Sequence, residues 1–149
     1  MREFIIDFYN YHFYWLVPVL TWIGIQLFKF IYDRVETGKW HKERLTGSGG
    51  MPSSHSAVVT GLASMIGKSQ GIDSPIFALS VVFAFVVMYD AAGVRREVGK
   101  QAKIINEILL KKGITGEEKL KELVGHTPFQ VLIGSIIGFI IGIIMPAKF

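Results

Sequence analysis

Residues 127–145 read TPFQVLIGSIIGFIIGIIM and contain no charged side chain. A helix needs about 20 largely apolar residues to cross a bilayer core about 30 Å thick. Two further stretches of that length, 13–32 and 75–94, hold Lys29 and Asp90 as their only charged residues. Three such stretches in a chain of 149 residues predict a membrane protein, rather than a soluble protein with three buried core helices.

Two other segments have the composition of helices of a different kind. Segment 54–67 is shorter and rich in Ser, Thr and Gly, which suits a short or re-entrant helix, or one shielded by its neighbours. Between Glu97 and Lys112, apolar residues recur at helical spacing among Lys and Glu, and Gly113 ends the pattern. We therefore expect an all-α, polytopic membrane helical bundle of about four spanning or partly spanning helices. One amphipathic helix would pack on it or lie in the interface.

The chain length allows one domain, so we expect residues 1–149 to form a single membrane domain. Residues 1–12 are rich in aromatic side chains, and Tyr favours the headgroup level, so this N-terminal segment is predicted to be interfacial. Glu3 and Asp7 interrupt it and no small-residue cleavage site follows, which argues against a cleavable signal. The absence of cysteine excludes disulfides and Cys-ligated metals.

Most Lys and Arg residues lie in two loops, 33–52 and 95–125, whereas loop 68–74 holds one Lys and one Asp. If segment 54–67 crosses the membrane, the two basic loops share one side, which the positive-inside rule predicts to be cytoplasmic. The net charge of +4 then reflects orientation in the cell membrane and contact with anionic lipids. No nucleic acid partner is expected, since basic and aromatic residues do not interleave. Residues 95–125 are thus predicted to be a cytoplasmic amphipathic insert.

The stretch GGMPSSHS, residues 49–56, opens the shorter apolar segment. Glycine lets the backbone approach a ligand closely. Ser53 and Ser54 place hydroxyls beside the free N–H groups of a helix N-terminus, which is an anion-binding arrangement. His55 would reach an anion held there. An ordinary capped helix start is the alternative.

A second histidine lies in GHTPFQ, residues 125–130, at the start of the last apolar helix. His126 and Gln130 are four positions apart, so they share a helical face, and Gln130 could orient the imidazole by a hydrogen bond. A histidine that caps the helix at the water boundary is the alternative.

The third motif is YDAAGVRR, residues 89–96. An acid such as Asp90 near the end of an apolar helix is costly unless it is paired or functional. Arg95 and Arg96 follow it, and the arginine fork suits phosphate oxygens. There are two alternatives. Asp90 could simply pair with an Arg or with Lys29, and the cationic side chains could anchor the helix end or snorkel to the membrane interface. The convergence of these cations with two histidines at one boundary predicts a phosphoryl-transfer pocket.

Taken together, GGMPSSHSA, YDAAGVRR and GHTPFQV resemble a small, divergent membrane branch related to type 2 phosphatidic acid phosphatases and vanadium-dependent haloperoxidases. The resemblance covers nearly the whole chain. It implies that PSSH, residues 52–55, corresponds to the family's Pro-Ser-Gly-His segment, with Ser54 in place of Gly. His55 would then be the acid that protonates the leaving oxygen.

The resemblance also implies the remaining roles. His126 would be the nucleophile, Arg95 or Arg96 the phosphate-binding Arg of the third motif, and Lys29 the Lys of the first. No Arg-Pro pair follows Lys29 as in the wider family. The arginines lie far upstream of His126, so the insert must fold back if these groups are to meet.

Gln130 stands where the wider family has an orienting carboxylate. An amide can fix a tautomer but cannot stabilise an imidazolium, and in serine proteases the analogous change costs ~10⁴ in kcat. Asp90 is the candidate for supplying the missing charge. Otherwise the activity is expected to be low or absent.

By resemblance, the expected function is a membrane lipid-phosphate phosphatase that acts through a phosphohistidine at the cytoplasmic face. No metal and no cofactor are expected, since side chains supply the positive charge, and phosphate or vanadate would occupy the site. Phosphatidylglycerophosphate, phosphatidic acid and polyprenyl phosphates are all compatible substrates. The rival, which Gln130 favours, is a non-catalytic membrane protein that binds or moves phosphorylated lipids through a retained anion pocket.

Small residues recur every four positions on the last helix, at Gly134, Gly138 and Gly142. Such a ridge lets two helices approach closely in a membrane. It is predicted to pack against another helix, with a homodimer as one option, and a purely structural helix-packing module is a third reading of the chain.

Overall fold

The computed structural model describes residues 2–42, 50–113, 119–122 and 124–146. In chain order its helices are α1 (Arg2–Thr37), α2 (Ser54–Gln70), α3 (Pro75–Ala92), α4 (Val94–Lys111) and α5 (Pro128–Ile144). These described residues contain no strand, so the prediction of an all-α helical bundle is confirmed. Residues 43–49 of the first basic loop, and 114–118 and 123 of the insert, lie outside the described residues.

Polar caps set the starts of three helices. Ser53 caps α2 and Ser74 caps α3, each accepting a backbone N–H from the first turn of its helix. At the start of α5, Thr127 and Gln130 form a capping box in which each side chain accepts the other residue's backbone N–H. The apolar segments therefore begin where the sequence places Ser or Thr.

Helix α2 contacts the first half of α1 at one end and the start of α5 at the other. Tyr14, in the first half of α1, is hydrogen-bonded to Ser69 in the last turn of α2 at 2.6 Å. At the opposite end, the backbone N–H of Ser53 donates to the carbonyl of Gln130 at 3.2 Å. Helix α2 is therefore antiparallel to α1 and parallel to α5, and of the predicted alternatives it is the helix shielded by its neighbours.

The hydroxyl groups of α2 are satisfied within the bundle. Thr60 donates to the carbonyl of Ser56, and Ser64 donates to the carbonyl of Thr60, both at 2.7 Å. Such back-bonding satisfies a hydroxyl without water. Polar side chains in α2 are thus compatible with a place among apolar helices.

The glycine ridge of α5 packs on α2 of the same chain. A Cβ at any of its three glycines would overlap a backbone carbonyl oxygen of α2; the facing pairs are Gly134 with Ser53, Gly138 with Ala57, and Gly142 with Gly61. Thr60 also donates to the carbonyl of Ser135 at 3.0 Å. We call this contact the glycine seam. The prediction that the ridge packs against another helix is confirmed within one chain, because α2 buries all three glycines, and a homodimer through the ridge stays a prediction.

The outside of the bundle is apolar. The segments Phe13–Thr37 and Pro75–Lys111 are long and apolar enough to cross a membrane, by length and composition. Large side chains such as Trp15, Leu79 and Phe85 are 65–75% exposed. A soluble protein would bury these side chains, whereas a lipid environment accommodates them. Helix α1 continues through residue 12 without a break, so an interfacial location of residues 1–12 stays a prediction.

The amphipathic insert folds back on itself. Helix α4 leads away from α3 at Gly93, and the chain then returns along α4. The Asn106 side chain holds the returning segment, donating to the Leu120 carbonyl at 2.8 Å and accepting its N–H at 3.0 Å. At Gly99 a Cβ would lie 2.7 Å from the carbonyl oxygen of Glu122. The return path therefore depends on a close approach that glycine permits.

Candidate functional site

Four of the predicted site residues line one small cavity at the end of the bundle. They are His55 from the first turn of α2, Asp90 from the last turn of α3, Arg95 from the first turn of α4, and His126 just before α5. We call this the histidine pocket. Residues that are far apart in sequence meet there because the insert returns along α4.

The backbone around His126 fixes its place. Its N–H donates to the carbonyl of Ala91 at 2.9 Å, near the end of α3. The preceding residue, Gly125, has a φ of +79°, in the region that favours glycine. A Cβ there would also overlap the backbone of Arg95 and Arg96. Glycine at position 125 therefore brings the His126 segment against the start of α4.

Asp90 and Arg95 form an ion pair inside the histidine pocket. The Arg95 Nε donates to an Asp90 carboxylate oxygen, and both side chains are partly exposed. His55 lies within electrostatic reach of Arg95, Lys29 and Asp90. The Asp90 carboxylate, which was predicted to supply charge to a histidine, is thus paired with Arg95. This is the alternative in which Asp90 forms an ion pair with an arginine.

Lys29 is buried in α1, with 6% of its surface exposed. Its charge acts on both His55 and His126. It lines an apolar cavity of about 500 Å³ between α1 and α5, together with Asp33 and Gly50. Lys29 therefore lies beside the histidine pocket rather than in its wall.

Sequence reasoning missed a buried acid next to Lys29. Asp33 is 5% exposed and hydrogen-bonded to His41 Nδ1 at 2.6 Å. Its spacing of four from Lys29 places both on one face of α1, and that spacing is the signal that would have found it.

Three further predicted residues lie outside the histidine pocket. Ser53 is fully buried, and its hydroxyl accepts from the backbone N–H of Ser56 at 3.3 Å and from the Ser56 hydroxyl at 2.8 Å. Ser54 is also buried. Arg96 lines a separate cavity of about 400 Å³ beside α4. The Ser53 hydroxyl therefore serves the helix cap, and the adjacent arginines diverge.

His126 is 4% exposed, and no hydrogen-bond partner for its Nδ1 atom occurs among the described residues. The Gln130 side-chain oxygen accepts the Thr127 N–H at 3.0 Å. Burial first, and then the charge of Lys29, lower the pKa of His126 to about 4, although Gln130 and the Gly50 backbone act in the opposite direction. At neutral pH His126 is thus a neutral imidazole, the form in which it can act as a nucleophile.

We expect an NMR titration of the folded protein to give His126 a midpoint near pH 4 instead of 6.5. Between these values the unfolded chain binds a proton that the folded chain does not, so the free energy of unfolding falls as the pH falls through this window. His126→Gln cannot titrate and should show a shallower decline from pH 6.5 to about 4. A wild-type midpoint near 6.5 would contradict the burial of the neutral ring.

Three cavities adjoin one another at this end of the bundle. The histidine pocket has a volume of about 10 Å³, room for about one water. The 400 Å³ cavity shares Gly125 and His126 with it, and shares Gly50 with the apolar 500 Å³ cavity. A group larger than water reaches both histidines only when side chains of the pocket move apart.

The helical fold and the histidine pocket together define a class of protein. It is an α-helical membrane protein whose histidines and cations meet at one end of the bundle. Within that class the chain belongs to the Divergent PAP2 family, which matches residues 10–141. It is 40% identical to "Uncharacterized membrane protein YuiD" of Bacillus subtilis (strain 168), over 83% of this chain and 87% of that protein. No solved structure matches it. The predicted resemblance is thus confirmed: this is a PAP2-like membrane protein.

Proposed function

We propose that the protein is a membrane lipid-phosphate phosphatase that acts through a phosphohistidine. The observation that carries the proposal is that His55, Arg95 and His126 line one pocket, with the charge of Lys29 acting on both rings. Two imidazoles beside fixed cations can divide phosphate transfer into two easier steps.

In the first step a neutral His126 nitrogen attacks phosphorus, and the bond from phosphorus to the lipid oxygen breaks. His55 donates its proton to that oxygen, and the lipid alcohol leaves. In the second step water attacks the phosphohistidine, His55 takes up the water proton, and the release of phosphate frees His126. Arg95 and Lys29 offset the charge on the phosphoryl oxygens throughout.

Substrate entry requires the histidine pocket to open. In the closed pocket the guanidinium of Arg95 is held by Asp90, and both groups are accessible to water. A phosphate competes with Asp90 for this guanidinium, because the arginine fork binds both oxyanions in the same way. The Asp90 carboxylate, once released, favours a protonated His55, which is the form a general acid needs.

The pocket lies at the same end of the bundle as the last turn of α1, which holds Arg34, and the start of the basic helix α4. The positive-inside rule therefore supports a cell-membrane protein whose site faces the cytoplasm. No metal or cofactor is part of the mechanism, and vanadate would act as a mimic of the transferring phosphoryl group.

The test is release of inorganic phosphate by the purified protein from phosphatidic acid, phosphatidylglycerophosphate or a polyprenyl phosphate, with vanadate as inhibitor. Acid-labile, base-stable labelling of the protein by radioactive substrate would identify the phosphohistidine. If none of these lipids is hydrolysed, the proposal is wrong.

One observation favours a second candidate, a membrane protein that binds or moves phosphorylated lipids without hydrolysis. No carboxylate bonds either pocket histidine among the described residues, since Asp90 is held by Arg95 and position 130 is Gln. An imidazolium formed at His126 would lack a stabilising charge. Binding of phosphate or vanadate without turnover would support this candidate, and a trapped phosphohistidine would eliminate it.

Gln130→Glu is expected to raise turnover by about tenfold or more, because a carboxylate beside His126 stabilises the imidazolium that an amide cannot. The fold should tolerate the change, since Glu is a standard third residue of a capping box and would still accept the Thr127 N–H. The measurement is kcat for phosphate release, with helix content as a control. A fall in kcat with the fold intact would show that Gln130 does not act through His126.

A further inference from the structure

The 400 Å³ cavity beside α4 has a basic wall, and we call it the basic cavity. Arg96, Lys100 and Lys103 line it from successive turns of α4, and His126 and Gln130 line the facing side. The three cations share a helical face, because they are spaced by four and three residues. The basic cavity is separate from the histidine pocket but shares His126 with it.

The cations that line this cavity outnumber the acids near it. Lys100 is paired with Glu97 at 2.7 Å, while Glu122, which also lines the cavity, accepts a hydrogen bond from Asn106 at 2.9 Å. No ion pair to Arg96 or Lys103 occurs in the part of the chain that the structure describes. A cavity with two unpaired cations favours an anionic ligand, and a guanidinium favours phosphate oxygens in particular.

An independent observation points to a ligand at the same place. Only 4% of the His126 surface is exposed, and the residue lines both cavities. Its Nδ1 atom has no hydrogen-bond partner among the described residues. Buried polar atoms of native proteins are nearly always hydrogen-bonded, so this nitrogen is available to a water or a ligand that occupies one of the two cavities. An anion in the basic cavity would adjoin the ring that attacks phosphorus.

We propose that the basic cavity binds a second phosphate group of the lipid substrate, next to the phosphate that is hydrolysed. This inference rests on the proposed function and narrows its substrate class to lipids with two neighbouring phosphate groups. Arg96 and Lys103 are then specificity-determining residues, whereas Arg95 faces the reacting phosphate.

Two lipids form a matched pair for this proposal. Phosphatidylglycerophosphate carries a phosphodiester near its terminal phosphate, and phosphatidic acid carries the terminal phosphate alone. We expect kcat/KM for the first to exceed that for the second by about tenfold or more, the effect of one or two charge-assisted hydrogen bonds at a partly exposed site.

The experiment compares the wild type, the double variant Arg96→Gln/Lys103→Gln, and the control Lys111→Gln, an exposed lysine in the last turn of α4. The double variant should lower the ratio of kcat/KM for the two lipids by about tenfold, and the control should leave the ratio unchanged. All assays use phosphatidylcholine vesicles without other anionic lipids. A preference that appears only when anionic lipids are added would assign the cavity to a neighbouring headgroup and overturn the proposal, as would a wild type with equal activity on the two lipids.

A binding assay separates this inference from the proposed function. Calorimetry on the same three proteins compares inorganic diphosphate with inorganic phosphate. If no lipid is hydrolysed but the wild type prefers diphosphate by about tenfold and the double variant does not, the hydrolytic function fails and the second phosphate site stands. If lipids are hydrolysed and neither assay shows a preference that depends on Arg96 and Lys103, the site is overturned.

Discussion

His126→Ala is expected to lower phosphate release by at least about 10³-fold and to abolish labelling of the protein by radioactive substrate. The substitution removes the attacking nitrogen, and removal of the nucleophile from a comparable catalytic group costs about 10⁶ in kcat. The backbone N–H of residue 126 still bonds to Ala91, so the segment should keep its place. The measurement is kcat for phosphate release, with acid-labile phosphate counted on the same sample.

His41→Ala is the matched control. His41 is partly exposed and bonds to Asp33 on α1, outside the histidine pocket. Its loss should leave phosphate release within about twofold of the wild type. Phosphate release that persists in His126→Ala would show that another group attacks phosphorus, and the two-histidine mechanism would fail.

Gly138→Leu is expected to destabilise the bundle by about 3 kcal/mol or more, because overpacking at a tight contact already costs 1–3 kcal/mol where side chains can shift. Here the added Cβ meets the carbonyl of Ala57 and the hydroxyl of Thr60, and a backbone carbonyl has little freedom to move. Helices α2 and α5 would be driven apart, which also breaks the bond from Thr60 to Ser135. The measurement is the free energy of unfolding in mixed detergent micelles.

Gly24→Ala provides the comparison within the same fold. Gly24 is in α1, and nothing lies within 4 Å of a Cβ added there. Alanine should therefore be neutral or stabilise the helix by up to about 1 kcal/mol, through its higher helix propensity. If Gly138→Leu has the same free energy of unfolding as Gly24→Ala, the glycine seam is not a tight contact.

The helices were predictable from the sequence because hydropathy and caps are local. Apolar length identified the segments that became α1, α3 and α5, and helical spacing identified α4 close to its observed bounds. The path of α2 was not predictable, because its Ser and Thr content suits both a re-entrant and a shielded helix. Its neighbours settle the choice, through contacts such as Tyr14 with Ser69.

In the candidate site, likewise, the residue types were predictable from the sequence, but their arrangement in space was not. Motif chemistry singled out His55, Asp90, Arg95 and His126, and the structure brings them into one pocket. The divergence of Arg96 could not be read from sequence, because adjacent helical residues point about 100° apart in directions that only packing defines. The interactions of Gly125 were hidden for a similar reason, since its close contact is with backbone atoms far away in sequence.

The glycine seam also determines which substitutions this protein can accept without disturbing its histidines. His55 lies on α2 and His126 directly precedes α5, so the distance between the imidazoles is inherited from two helices locked in parallel register. Helix α4 lies outside the glycine seam, and its Gly99 makes a close approach to the returning segment. If the proposed second phosphate site exists, substitutions at the cavity-lining positions 96, 100 and 103 of α4 would change headgroup preference without moving His55 or His126. An engineer seeking new substrates should vary Arg96, Lys100 and Lys103, and should keep Arg95, Gly99 and the glycine seam unchanged.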